Sequence, residues 1–202
     1  MLMKSNGKLS VFQILQNFKW SATALSLMVV SSIGCSKQEA STPASAFQSK
    51  TKVADLLDTS TNVVNQYTGL SKQTVQELQS VRSATASYQN INNAFKDGYQ
   101  DINVVMEGMG YHFMKASLVD TVFDIRKPEL LVYNKTVDGG YELVAVEYAL
   151  PISDTPPQGF TGDSDVWDHN TGFGLWLLHA WVWKFNPDGA FHPTNPLVHV
   201  VM

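Results

Sequence analysis

The hydrophobic period of this chain changes at Gly98. Before it, apolar residues recur every three or four positions; after it, they alternate. Val53, Leu56, Leu57, Val63, Val64 and Tyr67 predict a first helix, interrupted near Gly69. Val75, Leu78, Val81, Thr85, Tyr88, Ile91 and Phe95 predict a second, entered through a Thr74/Glu77 capping box and stopped by Gly98. Beyond Gly98 the stretches "ELLVYNK" and "YELVAVEYAL" flank "TVDGG", so residues 129–150 read as a β-hairpin turning at Asp138, Gly139 and Gly140. A further strand is expected over 174–185, "GLWLLHAWVWKF". Between them, residues 151–172 are so rich in Pro, Gly and Asp that no regular structure is expected. Helices first and antiparallel strands after them give an α+β fold, an N-terminal helical hairpin packed on a mainly antiparallel β-sheet.

The N-terminus reads as an address. Lys4, Lys8 and Lys19 precede the uncharged run "WSATALSLMVVSSIG", too short for a spanning helix and shaped as an export signal. It ends at Cys35, the one cysteine of the chain. A small residue followed by cysteine at this place resembles the bacterial lipobox, although Ser32 stands where Leu is usual. The resemblance implies a signal peptide over 1–34, lipidation of Cys35 and attachment to the membrane through acyl chains. Residues 35–50 are Ser-, Ala- and Thr-rich and read as a flexible tether, leaving 51–202 for one domain. The leader takes three of the 14 basic residues and none of the 18 acidic ones, so the remainder carries a net charge of −7. That balance disfavours nucleic acid as a partner and broad electrostatic adhesion to anionic lipid.

"AFKDGY" at 94–99, "GMGYHF" at 108–113, "KPELLVY" at 127–133, "LVAVEYALP" at 143–151 and "LHAWVWKFNPDGAFHPTNPLV" at 178–198 resemble the recurring blocks of a family of exported bacterial proteins of uncharacterised activity. The resemblance spans about residues 94–200 and implies no chemistry.

Five histidines are present, and none belongs to HExxH, an i, i+4 pair or a CxxC partner set; GxSxG and Walker loops are also absent. What remains is placement on strands, where side chains alternate between faces. An extended 109–114 puts His112 and Met114 on one face, with Met109, Tyr111 and Phe113 on the other. On the later strand His179 shares a face with Leu177, Trp181 and Trp183; in the hairpin Glu147 shares one with Leu143 and Ala145. Buried imidazoles and carboxyls need partners, so His112 and His179 are expected to meet each other or a common ligand.

Three functions compete. One is a cell-envelope protein acting as a small-ligand binding module or envelope component, with a pocket formed from Tyr111, Phe113, Trp176, Trp181 and Trp183. The alternative is a periplasmic metal site using His112 and His179 with Glu147, His192, Met109 or Met114. There His with Met suits copper and His with carboxylate suits zinc. The third is a hydrolase with Glu147 and His179 as base and acid.

Overall fold

A computed structural model of the protein describes residues 66–200. The leader, Cys35, the tether and the first expected helix lie outside the described residues, apart from the end of that helix near Gln66 and Tyr67.

The second helix forms, but in two pieces. Helix α1 (Lys72–Thr85) is capped by Ser71, whose side chain accepts a hydrogen bond from the Thr74 backbone N–H at 3.0 Å. Its Leu78 and Val81 are fully buried, contributing about 1.5–3 kcal/mol each. The expected Thr74/Glu77 box is instead spent on tertiary contacts. Thr74 Oγ1 donates to the Thr161 carbonyl, and both Glu77 carboxylate oxygens accept from Thr161, through its backbone N–H and its hydroxyl. At Thr85 the side chain hydrogen-bonds back to the Val81 carbonyl, the chain tightens into a 3-10 turn (Ala86–Gln89), and Asn90 caps the short helix α2 (Ile91–Lys96). Ser, Thr and Asn compete with the helical backbone for hydrogen bonds, which is why "SATASYQN" breaks a helix whose apolar period runs on.

The strands are β1 (Gln100–Met106), β2 (Gly110–Met114), β3 (Leu130–Lys135), β4 (Tyr141–Pro151), β5 (Asp168–Asn170) and β6 (Leu175–Ala180). They form one antiparallel sheet in the order β1-β2-β3-β4-β6-β5. The α+β class and the antiparallel sheet agree with the sequence reading, and β3–β4 is the expected hairpin. Three local expectations are corrected. Only Gly139 of the turn glycines has positive φ, at 81°. Residues 151–172 contain β5, which pairs with β6. The 174–185 strand ends at Ala180, because the Trp181 N–H leaves the ladder and donates to the Ala190 carbonyl.

The two faces of the sheet differ. Tyr111, Phe113, Leu131, Tyr133, Val146, Tyr148 and Leu178 face the helices in the main core. The opposite face carries Met114, Leu130, Ala149, Leu175 and Leu177, and among the described residues no helix covers it. Both edge strands, β1 and β5, line one cavity on that face, so the sheet curls around it.

Candidate metal centre

The cavity has a volume of about 150 Å³ and every strand contributes to its wall. Ile102, Val104 and Met106 come from β1, Met114 from β2, Leu130 from β3, and Leu175 and Leu177 from β6. Its polar floor is His112 on β2, Glu147 on β4 and His179 on β6, all three buried. Asp168 and Asn170 of β5 stand at its side.

Register explains half of this convergence. Glu147 sits directly opposite His179, and opposite Leu130 on its other side, so one cross-strand row delivers the carboxyl and one imidazole. His112 lies two strands from Glu147, on β2, opposite Val132. Flat strands would leave their backbones roughly 9–10 Å apart. The curl of the sheet closes that gap.

The distances describe a ring of groups around a space. His112 Nε2 lies 3.7 Å from Glu147 Oε2, His179 Nδ1 lies 3.6 Å from Glu147 Oε1, and one ligand atom from each residue lies within 4.8 Å of the others. The imidazoles are 6.0 Å apart between centroids and nearly perpendicular. None of these separations is a hydrogen bond. They are close to the roughly 3.3 Å between donor atoms of a tetrahedral ion with bonds of about 2.0–2.1 Å.

A defect in β1 fixes the tautomer of His112. Asp101 and Val105 pair with Phe113 and Tyr111, so three residues of β1 oppose one of β2, and Asn103 takes φ 55° there with its N–H bonded to the Asp101 carboxylate. The bulge turns the Val104 carbonyl toward the ring, where His112 Nδ1 donates to it at 3.0 Å. The Nε2 lone pair is therefore left facing Glu147, as in metal-ligating histidines whose other nitrogen is held by a carbonyl. His179 stacks on Trp181 at 5.9 Å and 14°. Its Nδ1 faces Glu147, while its buried Nε2 has no hydrogen-bond partner.

Burial dominates the electrostatics. It pushes the Glu147 carboxyl up to about 8, with the Asp168 and Glu129 charges adding to the effect. Burial lowers His112, and it lowers His179 to about 3 with the neighbouring His112 contributing. At neutral pH and without a cation the floor is therefore two neutral imidazoles and a protonated carboxyl.

The structure brings together His112, His179, Glu147, Met109 and Met114 along one cavity. It leaves His192 aside: that ring is exposed, with its Nδ1 at the Thr194 carbonyl. The aromatic residues expected to form a pocket are not on this cavity wall. Tyr111 and Phe113 lie in the helix-side core, and Trp183 packs there too, under the Arg82 guanidinium at 4.4 Å. Trp176 packs on His169. Trp181 backs the His179 ring, and its indole N–H donates to the His192 carbonyl. The sequence reading missed Asp168 and the β1 wall. Ile102, Val104 and Met106 do alternate, a signal blurred by Val105 between them.

The chain matches no protein-family model, no curated protein and no solved structure.

Proposed function

We propose that this is an exported, lipid-anchored envelope protein that binds one transition-metal ion through His112, Glu147 and His179. The observation that carries the reading is the convergence of three buried metal-ligating groups, from three different strands, around a space their own hydrogen bonds do not fill. Two neutral nitrogens and one carboxylate form a common donor set for first-row transition metals. A cation would also displace the Glu147 proton that burial otherwise imposes. The three groups lie at the floor of an apolar cavity, so a further ligand to a bound ion would come from the cavity side.

The test is metal content. The detergent-solubilised chain, stripped with chelator and reloaded, should hold one ion per chain, and Glu147→Gln or His112→Asn should abolish retention while the fold persists by circular dichroism. A chain that holds no stoichiometric ion under any loading would refute the site. The anchor is tested separately: Cys35→Ser should lose both fatty-acid label and membrane association. Retention of both would refute lipidation.

A second reading, a pocket for a small apolar molecule with no metal, draws on the apolar wall. A cavity of about 150 Å³ accommodates a benzene-sized ligand. It is favoured if such ligands raise the melting temperature of chelator-treated protein while metals leave it unchanged.

A further inference from the structure

All three methionines among the described residues, Met106, Met109 and Met114, line this one cavity, and the larger core on the other face of the sheet contains none. Methionine that serves only to fill gaps has no reason to be confined to the smaller of two apolar regions. The three are also graded in depth: Met106 is 46 % exposed, Met109 is partly buried and Met114 is 4 % exposed. Met114 shares its strand face with His112, about 7 Å along the strand, and pairs with Leu130 in the row that leads on to Glu147 and His179.

We propose that the site takes monovalent copper, received along a lane of thioethers running from Met106 at the rim through Met109 to Met114 beside His112. This rests on the metal reading above and specifies the ion and its route.

Two independent arguments lead there. Thioether is a soft donor that suits Cu(I), whereas Zn(II) sites in proteins are built from thiolate, imidazole and carboxylate. The second argument is charge. Glu147 as carboxylate with two neutral imidazoles carries −1, so a monovalent cation closes the floor to neutrality. A divalent ion leaves +1 among Ile102, Val104, Leu130 and Leu175, and an unbalanced buried charge is costly. Asp168 at the side of the cavity is exposed, so water screens its charge and it offsets an ion on the floor less than the buried Glu147 does. Copper enters and leaves by ligand exchange, with no change of oxidation state and no co-reactant.

The experiment is an anaerobic titration of the full chain in detergent, with Cu(I) competed by a chromophoric Cu(I) chelator and Zn(II) measured in parallel. The variants are Met109→Leu/Met114→Leu, close to isosteric in an apolar wall, and His179→Asn. Wild type should bind one Cu(I). The double Leu variant should lose Cu(I) affinity by about tenfold or more and keep its Zn(II) affinity, and sulfur scattering in the copper X-ray absorption spectrum should vanish with it. His179→Asn should weaken both metals. One Zn(II) bound with no uptake of Cu(I) overturns the copper assignment and leaves the metal reading standing. Unchanged Cu(I) affinity in the double Leu variant overturns the thioether lane, and failure to bind either metal overturns the site as a whole.

Discussion

Glu129 is a second buried carboxyl, 1 % exposed, accepting a hydrogen bond from the Ala149 N–H at 3.1 Å. Burial pushes it up to about 8 from the ordinary 4.5, outweighing that hydrogen bond. Between those two values the unfolded chain gives up this proton and the folded chain keeps it. Stability from this residue is therefore full below about pH 4.5 and lost as pH rises through about 8. Glu129→Gln keeps an acceptor for Ala149 and has no proton to lose. Its stability relative to wild type should rise between pH 5 and 8, by something on the order of 4 kcal/mol at the upper end, as read by urea melts at several pH values. A constant difference would show that Glu129 ionises freely in the fold. Gly110 is constrained by sterics alone: φ is 115°, and a Cβ there would collide with the Tyr133 carbonyl oxygen. Gly110→Ala should cost about 1–3 kcal/mol and disturb His112 two residues on. An unchanged denaturation midpoint would contradict this geometry.

At the scale of elements, irregular features place the site. The β1 bulge supplies the carbonyl that orients His112, and the turn after it is held by the C-terminal segment. Gly108 N–H donates to the Val198 carbonyl, and Asn195 N–H donates to that of Gly108. The long "NPDGAFHPTNPLV" stretch is thus a strap over the β1–β2 turn as well as the source of Pro193 on the cavity wall. On the other face, Glu77 ties the 151–167 loop to α1 through Thr161. Glu77→Ala should cost about 1 kcal/mol and speed proteolytic cleavage between 152 and 167; equal cleavage rates would show the loop is held elsewhere. In the hairpin turn, Gly139→Ala should cost about 1 kcal/mol by thermal melting. Gly140→Ala should cost less, because its φ is not positive and the nearest group is the rotatable Thr136 hydroxyl.

For the whole molecule, the arrangement separates stability from binding. The helix-side core, built on Leu78, Val81, Tyr133 and Tyr148, packs without any contribution from the cavity floor. The other face holds an ionisable floor that burial forces into neutral forms. A cation binding only the folded state should raise the melting temperature with the logarithm of its free concentration, by about 2.7 kcal/mol of stability at a hundredfold excess over Kd. Glu147→Gln should abolish that increment in differential scanning calorimetry. An equal increment in the variant would place the ion elsewhere on the chain.

The α+β class, the hairpin over 129–150 and the face shared by His112 and Met114 were legible in the sequence, because each follows from local periodicity and turn chemistry. Periodicity also placed His179 beside Leu177, but it put Leu143 with Glu147 and Trp183 with His179, whereas the irregular β3–β4 register and the end of β6 at Ala180 send both to the helix-side core. Helix continuity past Thr85 could not be read from the apolar period, since Ser, Thr and Asn side chains redirect the backbone without changing which residues are apolar. The aromatic residues were misleading in a similar way: Tyr111 and Phe113 alternate with His112, and alternation tells which residues share a face without telling which face is covered by helices. Only the tertiary structure decided that. It also decided strand order, which sets His179 opposite Glu147, and the curl that carries His112 across the width of β3. These are long-range pairings between residues 32 and 35 positions apart, and no local pattern encodes them.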